Sequence, residues 1–366
     1  MAHLRAALVT PLGGPLSLYG RAGATALAIW AKSAALPPPW TSVELDVRGT
    51  GKDIRAAMQA ALATEPDVLF GPYGSGPMLD AARACERVLW NHGGASSRLR
   101  RPAFPQVINV IAPASTYFSG ALQAAHTVDP SITTISLLYS TTGFGKDVAE
   151  SAATTAANLH LDLTSTAFAP AQAPAMVPAV PDGDVLLVVG NFADELAVAS
   201  LLLTRPWRFA AFVGAGVDEV LTTLGNQREG LLGPAQWLPT AAIEPDEGPD
   251  SDWFVEAYRK ETGTDPPYAA AQAFAAGVLY ARCLRDAQET TDTAIQAVAQ
   301  TLECTTLYGK FQLDPSSGLQ SGHQGLIVQW QQGRRRAVWP PERAECPAIF
   351  PLPGFAASRQ SVPKAP

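Results

Sequence analysis

The chain has 366 residues, 47% apolar and 16% charged, which excludes a disordered protein and supplies cores for two ordinary domains. A net charge of −7, with no basic run longer than "RRR" at 334–336, argues against a nucleic-acid partner. No uninterrupted apolar stretch reaches the ~18 residues that a membrane span needs.

Taken in chain order, strand-like and helix-like segments alternate from the start. "LRAALV" (4–9) precedes a helix beginning near Tyr19, and "VELDV" (43–47) precedes "KDIRAAMQAALAT". "DVLFG" (67–71) precedes a helix read over "PMLDAARACERVLWN", and "QVINVI" (106–111) precedes "STYFSGALQAAH". This rhythm predicts a mostly parallel sheet with helices on both faces. It then restarts: "TTISLLY" (133–139), "GFGKDVAESAATTAANL", "LDLTSTAF", a Pro/Ala-rich connection, "DVLLVVG" (184–190), "NFADELAVASLLL", "RFAAFVG" and "GLLGPAQW". Three helices follow, "SDWFVEAYRKETG", "PYAAAQAFAAGVLYARCLRDA" and "DTAIQAVAQTL". The stretch "GKFQLDPSSGLQSGHQGLIVQWQQGRRRAVWP" reads as hairpin-like strands, and a proline-rich tail covers 346–366 as a wrap or a disordered end.

Motifs for catalysis and cofactors fail in turn. The glycines of "PLGGPLSLYGRAG" miss the dinucleotide spacing, and "RGTGKD" and "TGFGKD" lack the elements of a phosphate loop. "YGSGP" is no nucleophile elbow, because Tyr73 takes the place of its first glycine. Four scattered cysteines form no C-x-x-C pair, and five histidines share no ligand spacing, so neither metal nor cofactor is expected. Buried free thiols are the simpler reading of the cysteines, with a disulfide open to an exported protein. The opening "MAHLRAALVTP" reads as a first strand rather than a signal peptide, which fits either a removed leader or a cytoplasmic protein.

What remains are polar turns where strands end and helices begin, the place where open α/β sheets bind ligands. "GPYGSGP" puts the Ser75 hydroxyl and free N–H groups at a helix start, an anion site without a cation. Ser96, after "GGA", offers a second hydroxyl, while Tyr19, Phe144 and Phe192 offer aromatic walls. The plain alternatives are a helix cap for Ser75, turn chemistry for Ser96 and core packing for the two phenylalanines. A solvated helix start is the plain reading of Asp218 and Glu219.

The order and content of these turns resemble the leucine/isoleucine/valine-type branch of the type I periplasmic binding proteins, over roughly residues 4–345. The resembling pieces are "PLGGPLSLYG", "DVLFGPYGSGP", "GGAS", "YSTTGFGKDVAES", "VVGNFADEL", "FVGAGVDE" and "GKFQLDPSSG…GLIVQWQQG". The resemblance implies two doubly wound parallel-sheet α/β lobes joined by three crossovers, with the ligand cleft between them. It implies a first lobe of 1–117 and 241–322, and a second of 118–240 and 323–345. By position, Ser75 and Gly76 look like the carboxylate-binding turn, and Ala95 and Ser96 like the turn that meets carboxylate and ammonium. Tyr19 falls in the loop that covers the ligand's side chain, Phe144 where the family often has a tyrosine, Phe192 near another aromatic position of the second lobe, and Trp237 and Tyr268 near cleft-facing segments. Gly216 stands where amino-acid binders of this family carry an acidic residue for the ligand's ammonium. Asp218 or Glu219 is the alternative counter-charge if the loop folds back.

The implied function is that of the extracytoplasmic solute-binding component of an ABC importer. It would hold a small carboxylate, amide or amino-acid-like ligand and present a closed form to a permease. A ligand-sensing domain of the same fold, cytoplasmic or part of a longer chain, is the first alternative. An enzyme on a doubly wound fold is the second.

Overall fold

Apolar patterning decides where the strands lie. "VLLVV" has all five residues buried, as a parallel strand covered on both faces requires. The computed structural model describes residues 2–217 and 219–353. Along the chain, β1 (Ala2–Thr10), α1 (Ser17–Ser33), β2 (Trp40–Gly49), α2 (Ile54–Leu62), β3 (Val68–Phe70), α3 (Ser75–Ala84), β4 (Leu89–Asn91) and β5 (Val107–Asn109) come first. Then follow α4 (Tyr117–Val128), β6 (Thr134–Ser140), α5 (Gly143–Asn158), β7 (Asp162–Phe168), α6 (Ala173–Met176), β8 (Val185–Val189), α7 (Phe192–Leu202), β9 (Phe209–Phe212) and β10 (Leu232–Ala235). The remainder is α8 (Ser251–Thr262), α9 (Tyr268–Ala287), α10 (Asp292–Thr301), β11 (Cys304–Thr306), β12 (Gly309–Phe311), β13 (Leu326–Gln331) and β14 (Arg334–Trp339).

The chain divides into two compact units and passes between them three times. Among the described residues, those up to Pro113 join Ala242–Gln324, and those of Ala114–Ala241 join those from Gly325 to Pro353. The sequence had put these breaks at 117, 240 and 322. In the first unit the sheet order is β2-β1-β3-β4-β5, all parallel. In the second it is β14-β13-β10-β9-β8-β6-β7, parallel except for the added β13–β14 hairpin. The described part of the tail packs on this second unit. Phe350 stacks on Phe209 with ring centroids 4.8 Å apart, and Leu352 enters the core.

One element corrects the sequence reading. The helix expected over "PMLDAARACERVLWN" ends at Ala84, Cys85 is extended, and Leu89–Asn91 is a separate strand between β3 and β5. Three consecutive buried residues have no period of their own, so helix and buried strand look alike there. Arg87 fixes the entry to β4. Its guanidinium pairs with Asp292 at 2.6 Å, and the same carboxylate accepts from Val88 N–H at 3.0 Å.

The late helices belong to the first unit because α9 packs on α1. Fifteen residues of α9 are buried, many of them alanine, which allows close helix approach. Gly277 faces the Trp30 indole, itself wholly buried between Phe70 and Tyr280. A Cβ at Gly277 would lie 2.4 Å from the Trp30 ring. Gly277→Ala should therefore destabilise the protein by about 1–2 kcal/mol despite the better helix propensity of alanine. An unchanged melting temperature would show that this contact is not tight.

Candidate functional site

In each unit the strand order reverses at one place, and open α/β sheets bind ligands in the crevice outside the strand ends there. In the first sheet the reversal lies between β1 and β3, in the second between β6 and β8. All four segments that follow these strands carry an aromatic residue. Tyr19 and Tyr73 follow β1 and β3; Phe144 and Phe192 follow β6 and β8.

In the first unit, Tyr19 and Tyr73 stack with centroids 4.9 Å apart and planes at 22°. Tyr268, at the start of α9, tilts against both at 5.8 and 6.3 Å, and its hydroxyl is hydrogen-bonded to that of Tyr73. Ser75 opens α3 and is half-buried, while Gly76 is exposed. Ala95 and Ser96 are buried in the turn after β4. The Ser96 hydroxyl oxygen accepts from Arg98 N–H at 3.3 Å, so it also serves its own turn.

That turn is held by two buried asparagines. Asn91 accepts from the N–H groups of Gly93 and Gly94 at 3.2 and 2.7 Å. Its amide donates to Gly94 O and to Asn109 Oδ1, both at 2.8 Å. Asn109 in turn donates to Leu99 O and Gly318 O at 2.8 and 2.9 Å. His92, next to Asn91 along the chain, is fully buried, and desolvation pushes its imidazole down to about 4.

In the second unit, Phe144 is half-buried and meets the Tyr117 ring edge-on at 5.9 Å. Burial pushes the Tyr117 phenol up to about 12, and its oxygen accepts from Gln236 Nε2 at 3.0 Å. Phe192 is half-buried at the start of α7, and Trp237 is buried just past β10. Gly216 closes the short helical turn Val213–Gly216 against β10, where a Cβ would lie 1.8 Å from Pro234 O. Asp218 lies outside the described residues, and Glu219 is exposed.

The helix starts differ between the two faces. Among the described residues no side chain caps α1 or α3, which flank the first reversal point. At the second, Thr142 caps α5 by accepting from Gly145 N–H at 3.1 Å, and Asn191 caps α7 by accepting from Asp194 N–H at 2.9 Å. The two helix starts at the first reversal point thus lack a side-chain cap, while Ser17 N–H donates to Gly14 O at 3.1 Å and Pro77 in the first turn of α3 carries no N–H.

Sequence reading did not single out Tyr73 as a wall, the two asparagines, or Glu195. Glu195 is fully buried, and its carboxyl accepts from Gly190 N–H at 3.2 Å and Gly214 N–H at 2.6 Å, tying the ends of β8 and β9 together. Beside it, Asp194 accepts from Ala171 N–H at 2.9 Å, beyond β7.

The chain belongs to the periplasmic binding protein family, whose sequence profile matches residues 3–335, and within it to the type I, branched-chain-amino-acid-binding-like group. It is a solute-binding protein of the ABC-transporter type, with the two-lobed α/β fold of that family. A leucine binding protein from Thermotoga maritima MSB8 has a similar fold, with TM-score 0.74, 15% identity, and coverage of 91% of this chain and 97% of that one. An R. palustris solute binding protein in complex with 4-hydroxybenzoate gives TM-score 0.77 at 13% identity, covering 98% and 100%. Another from R. palustris, in complex with benzoate, gives 0.72 at 13% identity, covering 95% and 98%.

Glu195 yields a pH dependence. Desolvation, with a smaller contribution from Asp194, pushes its carboxyl from the ordinary 4.5 up to about 8, against the opposing pull of the two N–H donors. A folded value above the unfolded one means that the stabilisation is complete below the unfolded value and is lost as pH rises through the folded one. The melting temperature should therefore fall more steeply between about pH 5 and about pH 9 in the wild type than in Glu195→Gln. Calorimetry showing equal slopes would remove Glu195 as the cause.

Proposed function

We propose that this chain is the solute-binding component of an ABC importer for a small carboxylate or amide without an α-ammonium group, its body apolar or aromatic. The permease is the partner that the family implies. The observation that carries the ligand class is Gly216. The family's amino-acid binders hold an acidic residue at the matching position, and here the backbone of Pro234 leaves a side chain no room. A buried ammonium without its counter-charge costs several kcal/mol, enough to remove useful affinity for ordinary amino acids.

The remaining geometry supports the same reading. The positive helix end at the start of α3, which no side chain caps, suits a negative or strongly polar group, and Ser75 adds a hydroxyl there. The capped starts of α5 and α7 with Phe144 and Phe192 suit an apolar body. Fold neighbours at low identity were solved with benzoate and 4-hydroxybenzoate, and another is a leucine binding protein, so the fold accommodates both chemistries.

A thermal-shift panel tests the proposal. Benzoate and 4-hydroxybenzoate are expected to raise the melting temperature, with leucine, isoleucine and valine giving little or no shift; the reverse pattern would sink it. A hydrogen bond to a charged group contributes roughly 1.5–3 kcal/mol, so Ser75→Ala should weaken benzoate binding about tenfold or more by calorimetry. Unchanged affinity in that variant would take Ser75 out of the site.

A further inference from the structure

The strand β2 is ten residues long and none of its residues is buried, whereas most of β1 beside it is. It lies at the edge of the first sheet, with β1 as its only strand neighbour among the described residues. A long open edge offers unpaired backbone groups to another strand. Which groups these are follows from the ladder to β1. The Thr50 N–H donates to Thr10 O at 3.0 Å, so alternate residues, Arg48 and Asp46 among them, turn their backbone groups towards β1. Leu45, Val47 and Gly49 turn theirs outwards. Asp46 and Arg48 share one face of the strand and are joined at 2.6 Å, both partly exposed. Val47, between them and on the opposite face, is 36% exposed.

We propose that β2 is a self-association surface: it pairs antiparallel with β2 of a second copy of this chain, about a twofold axis at Val47. In this register the outward N–H and C=O groups of Val47 meet those of the partner's Val47, and those of Leu45 meet those of the partner's Gly49. Asp46 then stands opposite the partner's Arg48, and Arg48 opposite the partner's Asp46, in the closely spaced type of antiparallel pair. The two existing ion pairs become a square of alternating charge. Charge also selects the register. Centring on Asp46 or on Arg48 would set like charges opposite each other, and centring on Leu45 would set Glu44 opposite Asp46. Only the axis at Val47, among these, brings opposite signs alone together. A strand without the matching pair meets exposed charges instead, so the residues that admit a second copy turn other strands away.

Sedimentation equilibrium from about 1 μM to 1 mM tests the proposal, because so short a pairing is a small contact and the association is weak. The wild type should show a monomer–dimer equilibrium that weakens as salt is raised. Arg48→Asp sets aspartates opposite each other on both sides of the axis and should weaken dimerisation about tenfold or more. Adding Asp46→Arg to that variant exchanges the charges and should restore it. Val47→Pro removes an outward N–H while leaving the ladder to β1 in place, so it should abolish the dimer with the far-ultraviolet circular dichroism unchanged. The two charge variants carry the test if the proline variant does not fold. A wild type that stays monomeric throughout, or a folded Val47→Pro that still dimerises, overturns the proposal. So does unchanged affinity in Arg48→Asp, or a double exchange that remains as weak as Arg48→Asp alone.

Discussion

The constraint behind both faces is that turns at strand ends bury peptide N–H groups that the sheets cannot pair. An unsatisfied buried donor costs about 1–3 kcal/mol, so each turn must find an acceptor. The first unit uses neutral amides. Asn91 takes the N–H groups of Gly93 and Gly94, and Asn109 steadies Asn91 and reaches Leu99 and Gly318. The second uses acids, with Asp194 taking Ala171 N–H and Glu195 taking Gly190 and Gly214. Local backbone geometry thus follows from a few side chains that do not themselves line the aromatic walls.

That solution has different electrostatic consequences in the two units. Asparagine amides satisfy donors and acceptors without introducing charge, and the neighbouring His92 is held neutral at ordinary pH by burial. A carboxyl as deeply buried as Glu195 is pushed towards its neutral form, and it is already committed to two backbone donors. Glu195 is therefore poorly suited to act as a counter-charge for a cationic group. Its acceptor oxygens are turned to the protein's own turns.

Much of this was legible in the residues, for identifiable reasons. β1, β6 and β8 are apolar runs of ordinary length bounded by turn residues, and α9 is long enough for its composition to declare it. β4 was hidden because three buried residues directly after a helix carry no period. Ser75 and Tyr19 stand out because each sits in a Gly-rich segment leading into a helix. The destination of Glu195 was not legible. An acid in the first turn of a helix already has a local reason to be there, and its partner Gly214 lies 19 residues further on, in a turn that only the folded sheet brings near. Gly216 shows a middle case: the glycine can be read in the sequence, but the close approach of the Pro234 carbonyl, which leaves a side chain no room, cannot.

The polarity of the two faces follows from which helices are capped. A helix start holds N–H groups that need acceptors, and a side-chain cap supplies one internally. Thr142 and Asn191 do so for α5 and α7, the same helices that begin with Phe144 and Phe192 near their N-termini. On α1 and α3 no side chain performs that task, and tyrosines with a serine hydroxyl stand in those segments instead. Leaving a helix start uncapped forgoes about 1 kcal/mol of helix stability. At the first reversal point the helix starts rely on backbone acceptors such as Gly14 O for Ser17 N–H, whereas at the second the side chains of Thr142 and Asn191 do that work. The aromatic residues alone therefore do not distinguish the two faces; the caps do.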